Sequence, residues 1–230
     1  MDPLQTIERQ IEDRHVLKHP FYVAWREGTL PREALRTYAA QYYQHVRAFP
    51  TYISALHSRC DDIETRQALL ENLRDEEEGP DNHPALWLRF AAAVGCAEGE
   101  AESAEPLPET EAAIYAFRSA VREGTVTRGL AALWAYESMV PTVAAEKVRG
   151  LAEHYGVAGS PATDYFEVHR TLDIEHAATT RELVARRVAD AAEASEAEAR
   201  EAEVGALRAV GAIALLLDGV CRVHGIARAA

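Results

Sequence analysis

His169, Asp173 and His176 stand in the pattern H-x-x-x-D-x-x-H. On a helix of 3.6 residues per turn their side chains share a stripe within roughly 60° of arc. The rest of the chain has the same periodicity. Apolar residues recur at helical spacing, and alternating β-branched runs between tight turns are nearly absent. The pattern predicts an all-α, single-domain bundle of about seven or eight helices spanning residues 1–230, with the last forty less well defined.

Prolines and glycines punctuate that bundle. A first helix is predicted from Pro3 to Leu17 and a short one after Pro20. Pro31 takes the first position of a helix carrying Leu35, Tyr38, Tyr42 and Val46, and Pro50 punctuates it. A helix from Ile63 to Glu78 stops at Gly79-Pro80. Asn82 caps the next, which ends at Gly95. Ala97 to Thr110 reads as a linker within one domain. Helices are then expected over Pro108–Glu123, Thr127–Met139, Pro141–Tyr155 and Pro161–Val188. The tail from Ala189 to Val223 forms one or two more, weakened at Gly205 and Gly211. Its Ala191–Val204 part is polar enough for a solvated face.

Bulk properties narrow the function. With 230 residues and 48% hydrophobic content the chain can bury a substantial core. A net charge of −13 argues against binding nucleic acid or an anionic membrane surface. Cys60, Cys96 and Cys221 lack C-x-x-C spacing and read as reduced, buried thiols. The N-terminus lacks the order of a signal peptide, and the Val210–Leu217 apolar run is too short to span a bilayer. A soluble, cytoplasmic protein is expected. The oligomeric state stays open, a homodimer being common for such bundles.

The stripe supplies half of a metal site, and Glu76, His83 and Glu137 are the candidates for the other half. Gly79-Pro80 turns the chain between Glu76 and His83. Glu137 lies among apolar neighbours and needs a partner, because an unpaired buried carboxylate costs several kcal/mol. Three imidazoles and three carboxylates suit iron or manganese, and six ligands favour two metals over one. His15, His19, His57, His154 and His224 read as ordinary histidines. Tyr165 shares the stripe with His169, Tyr136 adjoins Glu137, and Tyr22, Tyr38, Tyr42 and Tyr43 form a third group. A phenol beside such a centre can be oxidised to a radical.

Several segments carry a family resemblance. They include His19-Pro20-Phe21-Tyr22, Ala48-Phe49-Pro50, Leu56-His57-Ser58-Arg59-Cys60-Asp61-Asp62, Asp75-Glu76-Glu77, Asn82-His83, Tyr136-Glu137-Ser138 and Glu146-Lys147-Val148-Arg149-Gly150-Leu151. From about residue 5 to 185 the chain resembles the haem-oxygenase-like dimetal oxidases, in the group of the Chlamydia protein associating with death domains. The resemblance implies a seven-helix haem-oxygenase-like bundle without haem. It implies that Glu76, His83, Glu137, His169, Asp173 and His176 bind two transition-metal ions, iron–iron or manganese–iron, with O2 and an external reductant. It further implies a self-sacrificing, single-turnover synthesis of p-aminobenzoate for folate. Tyr22 would supply the ring and Lys147 the nitrogen, with Tyr136 and Tyr165 as radical or pocket residues. Spacing alone does not select Lys147. On a straight helix it lies about 15 Å along the axis from Glu137, a distance that a break near Pro141 would have to shorten. Without the resemblance it reads as a surface lysine paired with Glu146 or Glu153.

Other readings of the residues exist. A dimetal oxygenase could act on an external small molecule, by N-oxygenation or oxidative C–C cleavage. A metal-free oxidase resembling pyrroloquinoline-quinone synthase leaves the full ligand set unexplained. A thiaminase-like hydrolase requires a pocket cysteine that the sequence does not announce. A non-enzymatic docking module has no recognisable surface.

Overall fold

Helix caps written in the sequence start many of the elements. Asp2, Asp62, Asn82 and Thr125 each accept a hydrogen bond from a backbone N–H in the first turn that follows. The computed structural model describes residues 2–190 and 195–227. Its elements are α1 (Pro3–Asp13), a 3-10 turn (Val16–Lys18), α2 (Pro20–Arg26), α3 (Arg32–His57), α4 (Ile63–Glu77), α5 (His83–Ala93), α6 (Glu100–Ser103), α7 (Pro108–Arg122), α8 (Val126–Gly150), a π turn (Leu151–Tyr155), α9 (Asp164–Asp190) and α10 (Ser195–His224). Among the described residues there is no strand, as the periodicity predicts.

Helix number and boundaries differ from expectation where local signals lose to packing. Ten α-helices are described where seven or eight were expected: α2 is the short helix expected after Pro20, whereas α6 lies inside the Ala97–Thr110 stretch that read as a linker. Pro31 caps α3 instead of opening it. The first predicted helix divides into α1 and the 3-10 turn. Pro50 and Pro141 both lie inside continuous helices. A mid-helix proline removes one backbone hydrogen bond, and here neighbours on several sides hold the helix regardless. α3 packs on α4, α5, α7 and α10, while α8 packs on α7, α9 and α10. The two helices expected on either side of Pro141 are therefore one, with Leu151–Tyr155 as a π turn beyond it.

The buried side chains form one connected cluster in which α8 is central, its residues Leu130 to Glu137 all being buried. α10 crosses α8 closely. A Cβ at Gly205 would stand 2.2 Å from the Arg128 carbonyl oxygen. This glycine is a contact point, not the weak point the sequence implied. The expected solvated face before it is only partly so. Ala202 is buried, Glu201 pairs with Arg128 at 2.7 Å, and 191–194 lie outside the described residues. An 18-residue window of α10 reaches a mean hydropathy of 1.8, higher than the short Val210–Leu217 run implied. Within the protein 61% of that window is buried, so this apolar content belongs to the core. Cys60, Cys96 and Cys221 are free and buried.

Candidate metal centre

Four helices converge on the ligand-type residues. α4 brings Glu76, α5 His83, α8 Glu137, and α9 His169, Asp173 and His176. Gly79, at φ +80°, turns the chain between α4 and α5. Glu76, His83 and His169 each offer a ligand atom within 4.8 Å of the others, and all three are buried. Burial pulls the His83 ring down, yet the Glu76 carboxylate, whose Oε2 lies 2.8 Å from His83 Nδ1, outweighs it and raises the ring above its usual value. The His169 and His83 rings are 4.2 Å apart. His169 Nδ1 donates to the Tyr165 carbonyl at 2.6 Å, which leaves Nε2 as its free donor atom.

The other three candidates adjoin this group. His176 Nδ1 is 3.7 Å from Asp173 Oδ1, and its Nε2 is 3.0 Å from Asp75 Oδ2. Glu137 accepts from the Asn72 amide at 2.6 Å and from the Thr180 hydroxyl at 3.3 Å. Burial drives the Glu137 carboxyl up to about 8, and the charge of Asp173 adds to the effect. Burial also lifts Asp173 to about 6. For His176 burial acts downward, yet Asp173, Glu137 and Asp75 outweigh it and hold the ring at about 9. His169 is pushed well below its usual value by burial and by His83.

Three carboxylates and three imidazoles crowded out of water are a poor set without a cation. Asp173 Oδ2 is buried with no hydrogen-bond partner. Bound metal ions would replace the protons that these shifts hold in place and would give that oxygen a partner. The residues present therefore fit metal.

A second space lies beside the first. It is lined by Tyr22, Tyr42, Tyr136, Val143, Lys147, Tyr165 and Phe166 among others, and has a free volume of only about 20 Å³. Tyr136 and Tyr165 line both this space and the ligand cluster, so the two phenols form the wall between them. Lys147 is 4% exposed, and its Nζ lies 5.0–5.8 Å from the ring centres of Tyr22, Tyr38, Tyr42, Trp87 and Phe166. Among the described residues it has no ion pair, and burial lowers its pKa to about 7. The surface-lysine reading is wrong: Arg149, not Lys147, pairs with Glu146 and Glu153. No break near Pro141 is present either. Lys147 reaches the phenols because it faces the second space, not the ligands.

Tyr22 is 1% exposed, with its hydroxyl 3.4 Å from that of Tyr38. Tyr42 and Tyr136 hydroxyls are 3.1 Å apart. His15, His19, His154 and His224 are engaged with Thr142, Asp218, the Arg26 carbonyl and Thr37, away from the cluster. Sequence reasoning missed Trp87, Asn72 and Thr180. Each stands four residues from a candidate ligand, Trp87 after His83, Asn72 before Glu76 and Thr180 after His176, and that spacing could have found them. It also missed His45, fully buried among Tyr42, Phe49, Tyr52, Phe117 and Tyr136.

Residues 5–212 match the TENA/THI-4/PQQC family, and the chain belongs to it. Within that breadth it is similar to proteins named 4-aminobenzoate synthase. That of Nitrosomonas europaea is 46% identical over 181 residues, covering 75% of this chain and 74% of its own. That of Chlamydia trachomatis is 41% identical over 193 residues, 84% of each chain. A domain with a heme oxygenase-like fold from Shewanella denitrificans superposes with a TM-score of 0.80 over 98% of this chain and 94% of that one. At 16% identity the likeness concerns the fold alone, and it agrees with the haem-oxygenase-like architecture expected.

Proposed function

We propose that this protein is an O2-dependent enzyme that makes 4-aminobenzoate, with the ring taken from its own Tyr22 and the nitrogen from Lys147. Glu76, His83, Glu137, His169, Asp173 and His176 would hold two transition-metal ions, iron–iron or manganese–iron. When bound, the metal pair supplies the oxidising power drawn from O2 with electrons from an external reductant. The protein would be soluble and cytoplasmic, and its product would serve folate synthesis.

The chain's own residues have definable parts in this reading. Tyr136 and Tyr165, the shared wall, separate the oxidising centre from Tyr22 and relay oxidation to it. Phe166, Val143 and Ala144 keep water from Lys147, which leaves much of its amine unprotonated near neutrality. An ammonium has no lone pair to give; the free amine does. One use of each residue would end the protein's turnover.

The observation that carries this reading is the size of the second space. About 20 Å³ accommodates roughly one water molecule. An external aromatic substrate has no room beside Lys147, whereas Tyr22 already fills the position. That counts against an oxygenase for an external small molecule. A metal-free oxidase would leave Asp173 Oδ2 and the buried carboxylates without a function. Intact mass before and after exposure to metal, reductant and air tests the proposal. Loss of mass at residue 22 together with 4-aminobenzoate is expected, and product from protein of unchanged mass refutes it.

A further inference from the structure

On one side the space beside Lys147 is closed by a wall a single residue thick. Val16 lines both that space and a far larger groove outside it, which has a free volume of about 700 Å³. Two other elements face both ways through consecutive residues. On α2, Tyr22 lines the inner space and Val23 the groove; on α10, Ile213 lines the inner space and Ala214 the groove. Val16 and Ile213 are 3% and 2% exposed, so the wall is closed. Val16 belongs to the 3-10 turn between α1 and α2, and hydrogen-bond geometry in such a turn is poorer than in an α-helix. A side-chain tie to α8 comes from His15, whose Nε2 lies 3.1 Å from the Thr142 hydroxyl.

The two sides of the wall differ in charge. Among the residues lining the inner space only Lys147 can be a cation near neutrality, and it gives up its nitrogen in the proposed reaction. The carboxylate of newly made 4-aminobenzoate would then be buried without a cation, which is costly. The groove is lined by Arg14 and Lys18 against one acid, Glu27, on a chain whose net charge is −13. Both cations are exposed. Arg14 donates to the Gln10 carbonyl at 3.3 Å and Lys18 to the Glu12 carbonyl at 2.6 Å, with a Glu12 carboxylate oxygen 3.9 Å from the ammonium. His19, also on the groove, is engaged by Asp218 at 3.0 Å. Small-molecule sites typically have about 300–1,000 Å³, so the groove has room for a benzoate ring and its carboxylate.

We propose that the groove is a binding site for an aromatic carboxylate and the way out for 4-aminobenzoate. The product passes between Val16 and Ile213 and docks its carboxylate on Arg14 and Lys18. The proposal rests on the reading of Tyr22 as the source of the ring. Tyr22 and Val16 line the same inner space, which has a free volume of only about 20 Å³ while the ring is in place. Loss of that ring opens room into which Val16 can turn, so the wall gives way only when there is a product to release. No bond is made or broken in this step. The carboxylate exchanges an apolar chamber for two solvated cations.

Exit and entry follow one route, so the test runs it backwards in the full chain, without turnover. Tyr22→Ala empties the position of the ring, and added 4-aminobenzoate should refill it and quench Trp25, whose ring centre is 6.3 Å from that of Tyr22. Stopped-flow fluorescence reads the association rate. In that background Arg14→Glu with Lys18→Glu should slow association at least tenfold and abolish its fall with rising salt. Val16→Ala should speed it at least threefold. A rate that either change leaves untouched overturns the route. The groove is open in the unreacted parent, and saturation-transfer NMR there covers the case of a misfolded Tyr22→Ala. The parent should bind 4-aminobenzoate, and should bind aniline, which lacks the carboxylate, at least tenfold more weakly. Arg14→Glu with Lys18→Glu should remove the binding. No binding, equal binding of the two compounds, or binding that survives the charge reversal overturns the site. Neither measurement makes product. Failure of Tyr22 as the ring's source shows instead in the unchanged mass of reacted protein, so the two failures are told apart.

Discussion

The Lys147 amine lies 5.8 Å from the centre of the Tyr22 ring, inside the protein and with no ion pair among the described residues. A buried cation without a counterion is expensive, and its cost depends on pH in a defined direction. Burial lowers the pKa of Lys147 from 10.5 to about 7. Between those values the unfolded chain holds the proton and the folded chain does not, so folding stability from this group rises with pH across that window. Below about 7 both states hold the proton and the full penalty applies.

Lys147→Met should therefore be more stable than the parent at neutral pH by on the order of 4 kcal/mol. The gap should close by about 1.4 kcal/mol per pH unit as pH rises towards 10.5. Denaturant unfolding at several pH values measures it. A difference that stays constant with pH would place the lysine in water.

Metal content should follow the six candidate ligands. His169→Ala or Asp173→Ala should lower bound metal strongly, while His154→Ala, whose ring bonds the Arg26 carbonyl, should leave it unchanged. Elemental analysis of each variant decides. Full loading of a Glu76→Ala, His176→Ala double variant would dismiss the site.

His169, Asp173 and His176 were legible because they lie on one unbroken helix, α9, where four- and three-residue spacings map onto one face. Glu76 and His83 were legible from the Gly79-Pro80 turn. The setting of Lys147 was not, because Tyr22, Trp87 and Phe166 come from α2, α5 and α9, and no local pattern encodes that meeting. The same holds for Pro141 and Pro50. Their local signal says stop, and packing on several sides overrides it. His45 was invisible because a single histidine in a tyrosine-rich helix carries no spacing signal.

Gly205 exemplifies a residue whose role appears only in three dimensions. Gly205→Ala adds a methyl 2.2 Å from the Arg128 carbonyl, in backbone that cannot swing aside. Overpacking of this kind costs typically about 1–3 kcal/mol. A lower thermal midpoint with unchanged metal stoichiometry is expected. An unchanged midpoint would mean that α10 and α8 cross less closely.

Tyr22→Phe separates binding from consumption. The phenol contacts Tyr38, not a ligand, so the variant should load metal normally. It should produce no 4-aminobenzoate and fail to rescue an auxotroph. Product from Tyr22→Phe would transfer the ring's origin to another residue or to an external compound.

The most direct measurement concerns the nitrogen. Protein grown with lysine carrying heavy nitrogen in its side chain is loaded with metal and exposed to reductant and air. The released 4-aminobenzoate should carry the label in parent protein, and Lys147→Arg should bind metal yet release none. Unlabelled 4-aminobenzoate from the labelled parent would contradict the account and remove Lys147 from the chemistry.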